Sequence, residues 1–192
     1  IALDVIPGMT SEKKQEDLEL ILPGIHNVSN AVAAAAAAFY LGFSFEDITQ
    51  GLSTFEGIKR RFDVHINSKN LVYVDDYAHH PKEVSSTIIA AKQLFPDREI
   101  TVIFQPHLFS RTQDFAHDFA ESLSLANQLI LLDIYPAREL PIEGVNAKML
   151  LNLCTNPRKE TCSKEELLKV LEQEELDVLL TLGAGDIDTL VE

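Results

Sequence analysis

The chain has 192 residues, of which 46% are hydrophobic, and it carries a formal net charge of −14 at pH 7. This length suits one large domain or two unequal ones, and the apolar fraction is sufficient for a packed core. The acidic balance argues against nucleic-acid binding, and no apolar run approaches the ~20 residues that span a bilayer, so we expect neither nucleic acid nor membrane as a partner.

Residues 1–54 are predicted to form one unit. A strand-like start and a charged stretch lead to HNVSNAVAAAAAAFYLG, whose alanine-rich run favours a helix that ends near Gly42. A second short helix is predicted after Ser44, a candidate N-cap with Asp47 at N3. The first residue is isoleucine rather than methionine, so we expect the chain to be part of a longer one.

A locally basic junction, FEGIKRRF (55–62), separates this unit from a repeating pattern of strand, loop and helix. Near-continuous apolar strands are predicted within residues 70–76, 98–105, 128–135 and 176–182. Helices are predicted over residues 81–95, around 114–126, near 147–153 and over 164–173. This alternation predicts an α/β fold with a buried, mostly parallel sheet. Ligands of such sheets bind beyond the carboxyl ends of the strands, which selects the loops DDYAHHP, FQPHLFSRT and LGAGD.

The first of these loops, DDYAHHP (75–81), concentrates two carboxylates, a phenol and two imidazoles. This density predicts ligand contact or magnesium-linked phosphate chemistry. The alternative is a capped turn, in which Asp76 or His80 caps the helix that Pro81 begins. A zinc site is less favoured, because the adjacent His79 and His80 are expected to point apart.

The second loop, FQPHLFSRT (104–112), offers Gln105, His107, Ser110 and Arg111 as candidate ligand contacts. Arginine is the natural clamp for a carboxylate or a phosphate. The alternative is a surface arginine beside a helix that Ser110 or Thr112 caps.

The third loop, LGAGD (182–186), resembles a dinucleotide-binding turn only in part. The third glycine of GxGxxG falls at Asp188, and Asp186 would repel a phosphate. A tight turn whose glycines allow close backbone approach is therefore predicted.

Two further features carry polar chemistry. The basic run KRR (59–61) is either a solvated face or a contact for nucleotide phosphates, and its position at the junction favours the second reading. Asn27 and Asn30, three residues apart, are either helix caps or an amide pair able to read the edge of a base. The sequence contains no P-loop, no GxSxG elbow and no Cys/His dyad, so it holds no complete catalytic constellation.

Taken in order, HNVSNAVAA, FEGIKRRF, VDDYAHHPKEV, FQPHLFSRT, DIYPARE and LGAGDI resemble the second half of the Mur ligases, from about Gly24 to Ile187. The likeness is to the branch that joins L-alanine to UDP-N-acetylmuramate through an acyl phosphate, in bacterial cytoplasmic peptidoglycan synthesis. The resemblance implies that residues 1–54 end a central ATPase domain and that residues 55–192 form a Rossmann-like C-terminal domain. A related branch that adds a peptide to the same sugar nucleotide, a nucleotide-binding module without catalysis and an NAD-dependent oxidoreductase are the alternatives.

The resemblance also implies roles for individual residues. ATP and Mg²⁺ are the expected cofactors, without NAD, and no metal ligand is assigned within this chain because the P-loop and the magnesium residues of the family lie upstream of the matching part. The chain alone is therefore expected to be inactive. The implied ATP-binding residues are His26, Asn27, Asn30, Arg61 and Asp76. His79 and Arg111 are implied to lie near the amino-acid substrate, with Arg111 toward its carboxylate. Some relatives have arginine where this chain has Leu108.

Overall fold

The computed structural model describes residue 20 and residues 24–190. The predicted strand at the start of the chain and the charged stretch after it lie outside the described residues. The described part begins with two helices that pack against each other, α1 (Ile25–Tyr40) and α2 (Phe45–Ser53).

The ends of these helices follow the predicted local chemistry. Gly42, at φ 88°, follows the last turn of α1 and adopts a conformation that side chains disfavour. Ser44 is the N-cap of α2: its hydroxyl accepts from the backbone N–H of Asp47 at 3.1 Å, and the Asp47 carboxylate accepts from the backbone N–H of Ser44 at 3.3 Å. This reciprocal capping box confirms the predicted start of α2.

The rest of the described chain is built on a six-stranded sheet. The strands are β1 (Asp63–Asn67), β2 (Val72–Asp76), β3 (Ile100–Phe104), β4 (Gln128–Leu131), β5 (Arg158–Thr161) and β6 (Val178–Leu182). Their order across the sheet is β1-β2-β6-β3-β4-β5, and every pair is parallel except β1 with β2. The predicted α/β fold with a mostly parallel sheet is confirmed.

Helices cover both faces of the sheet. They are α3 (Pro81–Leu94), α4 (Phe109–Asp114), α5 (Ala116–Leu123), α6 (Ala147–Leu153), α7 (Leu167–Leu171) and a 3-10 helix (Asp186–Leu190). One core packs α3, α5 and α6 on a face of the sheet, and a smaller core packs α7 and the 3-10 helix on the other. Strands β3 and β6 contribute to both cores, which explains their unbroken apolar sequences.

Three features differ from the predicted elements. Strands β1 and β5 were not predicted: almost all of their side chains are exposed, the alternation of Val64 and Ile66 in β1 is short, and β5 contains no hydrophobic residue. The helix predicted around residues 114–126 is interrupted at Phe115, whose φ of −112° and ψ of 21° are not helical. The helix predicted from residue 164 begins later, because Ser163 and Glu166 first form a hydrogen-bonded turn. No helix in the described ranges is long and apolar enough to cross a bilayer.

Candidate functional site

The three loops selected from the sequence emerge side by side, because β2, β6 and β3 are neighbours in the sheet. Arg60 joins two of them. Its Nε lies 3.1 Å from the buried Asp75 carboxylate at the end of β2, and its Nη2 donates to the Gly183 carbonyl after β6 at 2.7 Å. Its Nη1 lies 3.2 Å from Asp188 in the 3-10 helix. Arg60, the first arginine of the basic junction, therefore has a structural role: it links the ends of β2 and β6.

The LGAGD loop is filled by the protein itself. A Cβ on Gly185 would lie 2.3 Å from Gln105 Oε1 and 2.9 Å from Tyr135, and a Cβ on Gly183 would lie 2.8 Å from the Gln105 carbonyl. The Gln105 amide donates to Asp186 at 2.8 Å and accepts from the backbone N–H of Ile187 at 3.0 Å. The predicted tight turn with close backbone approach is confirmed, and Gln105 is engaged within the fold rather than offered to a ligand.

A cavity of about 790 Å³ lies between the two N-terminal helices, the junction, the end of β2 and the first turns of α3. Polar side chains in its lining come from Asn27, Asn30, Arg61, Asp76, Lys82, Glu83, Ser86 and Thr87. Leu52, Phe55 and Ile58 form part of an apolar wall. Four of the five residues implied to bind ATP thus share one cavity, although they come from three separate segments. The fifth, His26, is in the first turn of α1, and the orientation of its side chain is not described.

Asp76 is held rigidly in the wall of this cavity. Its two carboxylate oxygens accept from the backbone N–H groups of Phe62 at 2.9 Å and of Ala78 at 2.8 Å. Burial raises the pKa of this carboxyl, while the two N–H groups and the Arg61 guanidinium oppose the increase. Asp76 therefore closes the turn between β2 and α3, and it does not cap α3, whose N-cap position is occupied by His80.

Arg61 differs sharply from its neighbour Arg60. Its side chain is 52% exposed, and its closest charged partner is the Glu83 carboxylate at 4.0 Å. Its guanidinium lies 5.7 Å from the centroid of the Tyr77 ring, a cation–π distance. The second arginine of the junction thus presents its charge to the cavity.

Glu83 connects the cavity to the histidine loop, a role that the sequence analysis missed. Its carboxylate accepts from the backbone N–H groups of His79 at 3.0 Å and His80 at 3.1 Å, and it lies 3.3 Å from His79 Nδ1. Burial raises the pKa of Glu83, but these N–H groups and the charges of His79 and Arg61 together hold it below its usual value. Its position at N3 of α3, after a candidate N-cap, is the sequence signal that would have identified it.

The two adjacent histidines have different neighbours, as expected. The His79 ring lies 5.2 Å from the Tyr77 ring and 6.4 Å from the His107 ring. The His80 ring instead lies 5.0 Å from Phe115. Over the described ranges, no three His, Cys, Asp or Glu side chains converge as a metal site.

The FQPHLFSRT loop divides into engaged and unengaged side chains. The Glu139 carboxylate, from the loop after β4, binds both the backbone N–H of Ser110, at 2.9 Å, and its hydroxyl. The alternative in which Ser110 or Thr112 caps α4 is wrong, since Leu108 is the N-cap residue. Nδ1 of His107 and Nη1 of Arg111 are buried without a hydrogen-bond partner in the described chain.

Backbone strain is concentrated at this edge of the sheet. Among the described residues, the non-glycine residues with positive φ are Arg60, Phe62, Leu108 and Ala137, at 62°, 48°, 73° and 50°. All four lie in the junction or in loops beyond the carboxyl ends of the strands. Such conformations are unfavourable for residues with a Cβ and cluster at functional sites.

The sequence of the chain was compared with protein families and with known proteins. Residues 60–185 match the family described as "Mur ligase, glutamate ligase domain". The chain is 49% identical to the UDP-N-acetylmuramate–L-alanine ligase of Cytophaga hutchinsonii and 51% identical to that of Parabacteroides distasonis, over 92% of this chain and 38% of each relative. It therefore spans about two fifths of the length of these curated relatives.

Solved structures give the same picture of the fold. The UDP-N-acetylmuramate-alanine ligase MurC of Thermotoga maritima superposes with a TM-score of 0.73 at 33% identity, covering 90% of this chain and 37% of that one. A murein peptide ligase of Psychrobacter arcticus superposes with a TM-score of 0.65 at 24% identity, covering 90% of this chain and 37% of that one, which is evidence for the fold alone.

Proposed function

Because the chain belongs to the Mur ligase family, we propose that it forms the nucleotide- and amino-acid-binding side of an ATP-dependent ligase that joins L-alanine to UDP-N-acetylmuramate. The observation that carries this proposal is the shared cavity, in which Asn27 and Asn30 of α1 meet Arg61 of the junction and Asp76 of β2. These segments are far apart in sequence, and the fold brings their polar side chains to one space.

The cavity suits ATP in size and chemistry. Its volume of about 790 Å³ is within the range of small-molecule sites, roughly 300–1,000 Å³. The amide groups of Asn27 and Asn30 can read the edge of a base, the apolar wall can accept its face, and Arg61 and Lys82 supply positive charge for phosphates. Mg²⁺ is usually held by one or two carboxylates together with substrate phosphates. Asp76, on the cavity wall, could supply one such carboxylate. We assign no complete metal site to this chain.

The amino-acid side of the proposed site is the surface formed by His79, His107 and Arg111, next to the cavity. Glu83 lies between the two regions, since it contacts His79 on one side and faces Arg61 on the other. The guanidinium of Arg111 suits the carboxylate of the amino acid, because its Nη1 has no partner in the described chain. In this proposal ATP activates the muramate carboxylate as an acyl phosphate, and the protein positions the amine against it.

We further propose that residues 1–54 end a central ATPase domain and that residues 55–192 form the C-terminal domain. The family match begins at residue 60, close to this boundary. A cavity with residues of both units in its lining supports a ligand site that forms where the two domains meet. The proposed setting is peptidoglycan synthesis in the bacterial cytoplasm.

Two alternatives are less well supported. A ligase that adds a peptide to the same sugar nucleotide has support only from fold similarity at 24% identity, whereas the curated relatives at 46–51% identity carry the L-alanine name. An NAD-dependent oxidoreductase would need open glycines after β6. Here Gln105 and Tyr135 fill the space in front of Gly185.

The test is phosphate release by the full-length enzyme, measured as a function of L-alanine, ATP and UDP-N-acetylmuramate. Arg111→Ala is expected to raise KM for L-alanine much more than KM for ATP, because it removes the carboxylate partner. Arg61→Ala is expected to raise KM for ATP much more than KM for L-alanine. The isolated chain should release no phosphate in response to L-alanine. Equal effects of both substitutions on both substrates, or alanine-dependent activity of the isolated chain, would contradict the proposal.

A further inference from the structure

Glu83 places a negative charge in the proposed nucleotide cavity, where it opposes the binding of phosphates. It lines the cavity together with the cations Arg61 and Lys82. Burial raises the pKa of Glu83, but backbone N–H groups and the charges of His79 and Arg61 hold it below its usual value, so the carboxylate is ionised at neutral pH. A like charge beside an anionic ligand weakens binding. The contacts of this carboxylate indicate what offsets that effect.

The Glu83 carboxylate is held rigidly. It belongs to the first turn of α3, and the next residue, Val84, is fully buried. Its Oε2 accepts from the backbone N–H groups of His79 at 3.0 Å and His80 at 3.1 Å. Its other oxygen, Oε1, lies 4.0 Å from Nη1 of Arg61, an ion-pair distance. The helix start therefore presents a fixed anionic group to this arginine.

The backbone of Arg61 is fixed more firmly than its side chain. The N–H of the following residue, Phe62, donates to the Asp76 carboxylate at 2.9 Å. The Arg61 side chain, in contrast, is 52% exposed, and the loss of rotamer freedom in such a long side chain opposes ligand binding. Two groups restrict these rotamers: the Tyr77 ring, whose centroid is 5.7 Å from the guanidinium, and the Glu83 carboxylate.

We propose that Glu83 is a positioning residue that holds the Arg61 guanidinium ready for the phosphates of ATP. The proposal rests on the proposed ligase function. Restricting a binding group before the ligand arrives increases affinity, because less freedom is lost on binding. This gain is expected to exceed the repulsion between Glu83 and the phosphates, since the Glu83 charge is shared with Arg61 and with two backbone N–H groups.

The test is a double-mutant cycle in the full-length enzyme, with Kd for ATP and Mg²⁺ measured by isothermal titration calorimetry. Glu83→Gln removes the charge but keeps an oxygen that can accept the two backbone hydrogen bonds, as glutamine does in capping boxes. It should weaken ATP binding about three- to fivefold, the upper part of the range for exposed ion pairs. Its melting temperature should stay within about 2 °C of the wild type, because the helix cap is retained.

The second half of the cycle separates positioning from a structural role. In an Arg61→Ala background, Glu83→Gln should weaken ATP binding no more than about 1.5-fold, because the group that Glu83 positions is absent. Equal weakening with and without Arg61 would mean that Glu83 acts through the histidine loop, and it would overturn the proposal. Unchanged or tighter binding in the single variant Glu83→Gln would also overturn it, since repulsion would then equal or exceed the gain.

Glu46→Gln is the matched control. Glu46 is exposed in the first turn of α2, so this variant removes the same charge from a comparable position in a helix, and Kd should change by less than about 1.5-fold. If Arg61→Ala leaves Kd unchanged, the phosphate contact of Arg61 is wrong and this proposal fails with it. A wild-type enzyme that binds no ATP would instead overturn the proposed function.

Discussion

The adjacent arginines of the junction give the sharpest test of the structure. Arg60→Ala should destabilise the fold strongly, whereas Arg61→Ala should not. Arg60 is 14% exposed and pairs with an Asp75 carboxylate that is 1% exposed, while Arg61 is 52% exposed. The two residues are adjacent and of the same type, but they differ in burial and contacts, and Arg60 alone has a positive φ, 62°, which alanine would keep.

The size of the Arg60 effect follows from what its removal leaves behind. Breaking a buried ion pair by removing one partner costs roughly 3–5 kcal/mol, because a charge stays buried without compensation. Asp75 keeps one hydrogen bond, from Thr181 Oγ1 at 2.7 Å, which favours the lower end of that range. The contact with the partly exposed Asp188 adds little. We expect a loss of about 3 kcal/mol, or roughly 6–12 °C in Tm for a chain of this size.

The assay is thermal and urea unfolding of the 192-residue chain, followed by circular dichroism. Arg61→Ala is expected to change the unfolding free energy by no more than about 0.5 kcal/mol. The double variant Arg60→Ala with Asp75→Asn should recover part of the loss, since no charge then remains buried. If the melting temperatures of the two single variants lie within 2 °C of each other, the structural role assigned to Arg60 is refuted.

Two further outcomes are expected from the contacts of the third loop. Gly185→Ala should lower the free energy of unfolding, because the new Cβ would meet Gln105 Oε1 at 2.3 Å. Gly51→Ala in α2 should raise it by about 1 kcal/mol, because the new Cβ would meet nothing within 4 Å. Urea titrations in which both variants change the free energy of unfolding in the same direction would contradict this. Two hydrogen bonds hold the pKa of Asp186 below its ordinary value: the one from Lys164, which has the larger effect, and the one from Gln105. The contribution of the Asp186 carboxylate to the free energy of unfolding is therefore fully present above the pKa of aspartate in the unfolded chain, about 3.9. This contribution is lost as pH falls through the pKa of Asp186 in the folded chain. The stability difference between wild type and Asp186→Asn should shrink in that acid range, and a constant difference would exclude this account.

The core of the fold could be predicted because its strands are buried on both faces. Strands β3 and β6 are apolar throughout, and their sequences have no other reasonable place than the centre of a parallel sheet. Strands β1 and β5 could not be predicted in the same way. They lie at the two edges of the sheet, and their pairing depends on a neighbour strand rather than on their own side chains.

The loops of the site could be predicted, but the roles of individual residues within them could not. Gln105, Ser110, His107 and Arg111 look equally available in sequence. The first two are occupied by Asp186 and Glu139, which come from 81 and 29 residues away. The difference between Arg60 and Arg61 likewise depends on which of them reaches the Gly183 carbonyl after β6. Long-range contacts of this kind are absent from the local pattern.

The position of β6 has a consequence for the order in which the protein can assemble. It comes last of the strands in the chain, yet it lies between β2 and β3, which carry the two site loops. Until residues 178–182 are inserted, these strands have no common neighbour, and Arg60 lacks its carbonyl partner at Gly183. Closing such distant contacts is slow, since the loop entropy must be overcome before the pairing stabilises the sheet. During synthesis on the ribosome, the ligand-facing edge is therefore expected to form as a late event, after most of the helices are already available.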